Sequence, residues 1–196
     1  MNTEDYYRAE VAVVIKDPKR SSNFTVVVAC LDHELKDDSF FFPVSVGERE
    51  ATIIKSYLGS EELEDYKSAI IRPQTVDLFC SMFDAFPEIS LDALVVEKVS
   101  EEVEGIITFV GRIHLKLDQG DTEIRTVLDS RTSDIICIAL NRELHKAGDG
   151  SFWVKKEILD NENINDSGSM VLTTDGKTLR EIFFQSSLRR QMRKGI

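Results

Sequence analysis

Cysteine is scarce in this sequence. Cys30, Cys80 and Cys137 stand singly inside apolar runs, an odd number without metal-ligand spacing. That argues against a disulfide scaffold or a paired-cysteine zinc module and reads as three reduced core thiols. Histidine is equally sparse, and His33, His114 and His145 form no constellation along the chain. No stretch approaches the roughly 20 apolar residues that cross a bilayer, so no membrane span is expected. The opening MNTEDYYRAE has neither the basic start nor the apolar core of a secretory signal, which points to cytoplasmic residence. Basic charge is in short supply: 24 Lys and Arg against 35 Asp and Glu give a net charge of -11, which counts against passive binding to phosphate backbones. A glycine-rich phosphate loop, a nucleophile elbow and a repeat of solenoid period are also missing.

What is there suits one ordinary domain with an appendage. With 196 residues, 42% apolar and 30% charged, the chain can bury a core without disulfides or a structural metal. Valine-rich EVAVVIKD and FTVVVACLD predict two strands joined as a hairpin across residues 18–23. SFFFPVSVGE predicts a third, with Pro43 suited to an edge because it cannot donate to a ladder. After Gly47 the spacing of Ala51, Ile54 and Leu58 predicts a helix, and Val76, Phe79, Cys80 and Phe83 predict a second one that begins near Pro73. Residues 91–103 and 105–117 read as strands, the latter with Phe109, Ile113, Leu115 and Leu117 on one face and Arg112, His114 and Lys116 on the other. DQGD turns the chain into a strand over 122–128. A third helix over 131–145 carries too much apolar surface for a free face and is expected to be central, before SFWV forms a short strand. Residues 1–160 thus read as the domain, and 161–196 as a linker and a basic terminal helix. From Lys177 onward the balance is +5, which leaves -16 for the rest.

Three segments carry a resemblance. FPVSVGEREA (42–51), RPQTVDLF (72–79) and VLDSRTSDIICIAL (127–140), followed by FWVKKEIL (152–159), are similar to the bifunctional nuclease (BFN) domain family over roughly residues 10–160. The resemblance implies a compact α+β fold, mostly antiparallel sheet packed with about three helices. It also implies self-association into a homo-oligomer and activity on DNA and RNA. The sequence departs from the family at two places: Val76 stands where a histidine is usual, and Thr132 replaces a proline ahead of the Ser-Asp pair.

Without that histidine, phosphodiester cleavage calls for carboxylates that hold Mg²⁺ or Mn²⁺, or activate water, and arginines that steady the phosphate. The available carboxylates are Glu48, Glu50, Asp77, Asp129 and Asp134. Asp77, Asp129 and Asp134 are the candidate metal ligands, Glu50 a ligand or base, and Arg72 and Arg131 the phosphate donors. Each also has a plain structural reading. Asp129 or Ser130 can cap the third helix, Asp134 suits its first turn, and Arg131 can pair with Asp134 three residues on. The strip Arg112, His114, Lys116 and Arg125 is a second contact surface to weigh against a solvated sheet face. Two functions are therefore expected to compete: a metal-assisted nuclease, and a non-catalytic oligomeric interaction or regulatory module with the same fold.

Overall fold

A computed structural model describes residues 3–16, 23–31, 40–58, 75–98, 109–120, 122–142 and 152–158. Its strands are β1 (Tyr6–Lys16), β2 (Asn23–Leu31), β3 (Phe40–Gly47), β4 (Ile89–Lys98), β5 (Phe109–Asp118), β6 (Glu123–Ser130) and β7 (Phe152–Lys155). The helices are α1 (Glu48–Leu58), α2 (Thr75–Ala85) and α3 (Thr132–Asn141). This is an α+β fold. The expected linker and basic terminal helix, the connection before Pro73 and Arg72 itself lie outside the described residues.

All seven strands form one sheet in the order β3-β2-β1-β7-β4-β5-β6. Every neighbouring pair is antiparallel except β4 with β7. The valine-rich hairpin β1-β2 forms as its pattern predicts, and Pro43 sits on the edge strand β3. The turn from β5 to β6 also forms. Gly120 takes φ +75°, which costs glycine nothing, and its N–H donates to Asp118 Oδ1 at 3.1 Å. Four-residue β7, late in the chain, lies between β1 and β4 and joins a β3-β2-β1 half to a β4-β5-β6 half. Its Phe152 and Val154 are fully buried.

The main core joins the helices to one side of the sheet, where Val11, Val26, Val28, Leu94, Val96, Phe152 and Val154 meet Ile54, Cys80 and the apolar residues of α3. Seven of the ten α3 residues are buried, which makes it the central helix, packed against α1, α2, β3, β4 and β5. Its four large aliphatics, Ile135, Ile136, Ile138 and Leu140, each stabilise the fold by about 1.5–3 kcal/mol in gross burial. Strand alternation sends Ala12, Val27, Ala29 and Phe41 into a smaller cluster on the opposite face. In the β4-β5-β6 half that face carries ion pairs beside the buried Val95. Arg112 pairs with Glu97 (3.4 Å) and with Asp129, Lys116 with Asp92 (2.8 Å), and Arg125 with Glu123 (2.6 Å).

Candidate active site

Where α3 begins, the chain leaves β6 and turns sharply over β5. Gly111 makes the approach possible: a Cβ there would lie 2.2 Å from Ile135 Cγ1 and 3.0 Å from the Arg131 carbonyl. Neither Asp129 nor Ser130 caps the helix, contrary to the expectation from sequence. Both finish β6, and the N-cap is Arg131, in extended conformation with no side-chain cap hydrogen bond. Asp129 is drawn away by the alternation of the strand, which puts it on the outer sheet face against Arg112. The first turn of α3 therefore keeps donors that no side chain of its own satisfies.

That first turn walls a cleft of about 580 Å³ together with Pro43–Gly47 of β3, Glu50 of α1, Phe109, Arg131, Thr132 and Ser133. The Arg131 guanidinium is held at two points. Nε and Nη2 donate to the two carboxylate oxygens of Asp134 at 2.9 and 2.8 Å, and Nη1 lies 3.5 Å from Glu50 Oε1. Glu50, in the first turn of α1, folds back toward the end of β3: a Cβ on Gly47 would lie 2.8 Å from Glu50 Oε2. Thr132 is 93% buried, and its hydroxyl oxygen has no hydrogen-bond partner among the described residues. A buried hydroxyl left unpaired costs free energy, so a ligand atom that completed it would gain what the folded protein lacks.

Of the residues singled out from sequence, the fold unites Glu50, Arg131 and Asp134 and places Asp77 and Asp129 elsewhere. Asp77 accepts hydrogen bonds from Tyr57 Oη (2.5 Å) and Asn141 Nδ2 (3.0 Å). Asn141 is the last residue of α3 and Asp134 its third. Seven residues of helix rise put these two positions about 10 Å apart along the axis. Burial and the hydrogen bond to Asp77 hold the Tyr57 hydroxyl well above its usual pKa, so it stays a donor. This knot ties α1, α2 and α3 together, and Arg142 reinforces it by bonding Asp84 (2.9 Å) and the Cys80 carbonyl. Asp77, Asp129 and Asp134 thus do not converge as one ligand set. Among the described residues no group of three or more His, Cys, Asp or Glu is placed to hold a metal ion. Val76 packs against the core from α2.

The second surface weighed from sequence is neutralised: Arg112, Lys116 and Arg125 each have a carboxylate partner. His114 lies among them, and partial burial lowers its pKa more than Glu97 and Asp92 raise it. Sequence reasoning missed Ser45, Phe109, Thr132 and Ser133 as cleft residues. Ser45 had a signal, an exposed hydroxyl between the buried Val44 and Val46. Phe109 had none, because its place depends on β5 passing beneath α3.

No helix among the described residues is long and apolar enough to cross a membrane. No curated protein matches the chain. The bifunctional nuclease domain matches residues 32–167, a span that holds β3, all three helices and every carboxylate and arginine of the cleft. The chain belongs to the bifunctional nuclease domain family.

Proposed function

We propose that this protein hydrolyses phosphodiester bonds of DNA or RNA at the cleft between β3 and the start of α3. One observation carries the reading: Arg131 stands between the carboxylates of Glu50 and Asp134 at a helix start without a side-chain cap, beside a buried threonine hydroxyl that has no partner among the described residues. A phosphoryl group matches that set. The guanidinium fork and the first-turn N–H groups suit its oxygens, and the Thr132 hydroxyl supplies a further donor. Glu50, about 29% exposed, is reachable by water and takes the proton of the attacking water as general base. Asp134 fixes the guanidinium through two bonds, which makes it a positioning residue for Arg131.

A divalent ion fits a limited version of this site. Mg²⁺ and Mn²⁺ keep several waters and take as few as one carboxylate together with substrate phosphates; both Asp134 oxygens are taken by Arg131, so Glu50 is the residue that would hold one. Bound there it would lower the pKa of its water and neutralise phosphate charge. The net charge of -11 leaves capture of a polyanion to local arginines, among them Arg131 and, from its sequence position, Arg72.

The test is hydrolysis of single- and double-stranded DNA and RNA with and without Mg²⁺ or Mn²⁺, by the wild type and by Glu50→Gln and Arg131→Ala. Activity lost in both variants supports the reading, and activity unchanged in both assigns it to a contaminant. The second reading, a non-catalytic interaction or regulatory module, is favoured by Val76 in the position of the family histidine. It predicts nucleic-acid binding or none, without cleavage under any metal condition.

A further inference from the structure

The sheet ends in two unlike edges. On β3, Pro43 interrupts the row of donors. On β6 nothing does: the strand has no proline, pairs only with β5 among the described residues, and seven of its eight residues are exposed. Ile124, Val127 and Leu128 are 43%, 48% and 41% exposed, three of the five large apolar side chains exposed among the described residues. An open edge of this length with apolar side chains is a template for another strand.

We propose that β6 is the surface on which two copies of this chain pair, antiparallel, about a twofold axis at Val127, so that two sheets become one. The charges on the strand select both the occupant and the register. Glu123, Arg125, Val127 and Asp129 alternate onto one face. With Val127 opposite the partner's Val127, Arg125 stands opposite the partner's Asp129, and Asp129 opposite the partner's Arg125. One symmetry operation therefore makes two unlike pairs. Moving the axis to Thr126 sets Glu123 against the partner's Asp129. Moving it to Leu128 sets Asp129 against the partner's Val127 and carries Arg125 past the end of the strand, so both unlike pairs are lost. The first slip opposes like charges and the second loses the unlike pairs, so both are disfavoured. A strand complementary to its own reversed copy fits a second copy of this chain better than an unrelated peptide. Arg125 and Asp129 have side chains 58% and 73% exposed and can reach across the new ladder.

Sedimentation velocity of the full chain over a concentration series tests this. The expected result is a reversible dimer. Arg125→Asp or Asp129→Arg alone weakens it on the order of tenfold, and the two together restore it, because the swapped charges again meet their opposites across the axis. Positions 125 and 129 lie on one strand about 13 Å apart and do not meet within a subunit, so restoration by the double change reports contact between subunits. As an independent readout, Val127→Cys should cross-link on mild oxidation. Directly opposed antiparallel residues have Cα atoms about 4.5–5.5 Å apart, inside the reach of a disulfide. Ile124→Cys should not, since it would lie about 20 Å along the ladder from its own copy. The three native cysteines are buried and do not compete. Cysteine at the exposed position 127 leaves the core untouched, so this arm stands even where a charge variant misfolds. A monomer at every concentration, a dimer indifferent to the charge changes, or cross-linking equal at 124 and 127 would overturn the proposal. None of these variants alters Glu50, Arg131 or Asp134, so failure here is separate from failure of the nuclease reading.

Discussion

Arg131 Nη1 lies 3.5 Å from Glu50 Oε1, a contact between the start of α3 and the first turn of α1, two segments distant in the chain. The contact is long for an ion pair and leaves the arginine able to exchange Glu50 for a phosphate oxygen. Glu50→Gln should therefore separate binding from chemistry. Turnover falls by about 10²–10⁴-fold, as loss of a general base does, while affinity for a non-cleavable oligonucleotide holds or rises because a competing negative charge has gone. Arg131→Ala should act on binding, weakening affinity about 10–100-fold and lowering activity through that loss. Single-turnover kinetics beside equilibrium binding would distinguish the two, and equal loss of affinity in both variants would sink this division of roles.

Gly111→Ala should damage the site without touching a side chain of the cleft. Its Cβ would clash with Ile135 and crowd the Arg131 carbonyl, so α3 must shift away from β5. Overpacking of this kind costs about 1–3 kcal/mol. Chemical denaturation should show that loss, and activity per folded molecule should fall as well.

Tyr57→Phe and Asp77→Asn should cost stability, about 1–2 kcal/mol each, with catalysis per folded molecule preserved. Their side chains join the three helices at the end of α3 opposite the cleft. A large drop in turnover at unchanged stability would return Asp77 to the catalytic set.

Acidification should cost stability through His114. Burial holds its folded pKa below the ordinary 6.5, so the unfolded chain takes up the proton first. The contribution is intact above about pH 6.5, declines as pH falls from the unfolded to the folded pKa, and levels off below that. Denaturation midpoints measured between pH 8 and pH 5 should show this slope in the wild type, and it should flatten in His114→Asn.

The native cysteines should resist alkylation at pH 8 and react once the chain is unfolded. Burial raises all three thiols, Cys137 to about 12, which leaves little thiolate. Rapid labelling of the native protein, read by mass spectrometry, would contradict the buried placement of Cys30, Cys80 and Cys137.

Much of the architecture was legible because local patterns carry it. The valine runs, the alternation in residues 109–117, the glycine in DQGD and the edge role of Pro43 each follow from backbone rules that act within a few residues. The helix start at residue 131 was also readable, but the capping rule misjudged it. Asp129 and Ser130 are good caps in isolation, yet here they complete β6 and pair with β5. In the same way the carboxylates were visible as a set, while the separation of Glu50 and Asp134 into a cleft, Asp77 into a helix knot and Asp129 onto an outer sheet face was not.

The amino-acid order alone determined where the described strands run, which helix must be central and that Glu50, Asp77 and Asp134 stand in first turns of helices, since periodicity and propensity are short-range properties of the chain. Only the tertiary structure decided that β7 closes the middle of the sheet, that Gly111 lets α3 settle on β5, and that Glu50 meets Arg131 while Asp77 and Asp129 do not. Those outcomes depend on strand order and on which face of an element is covered, and packing settles both among residues far apart in the sequence.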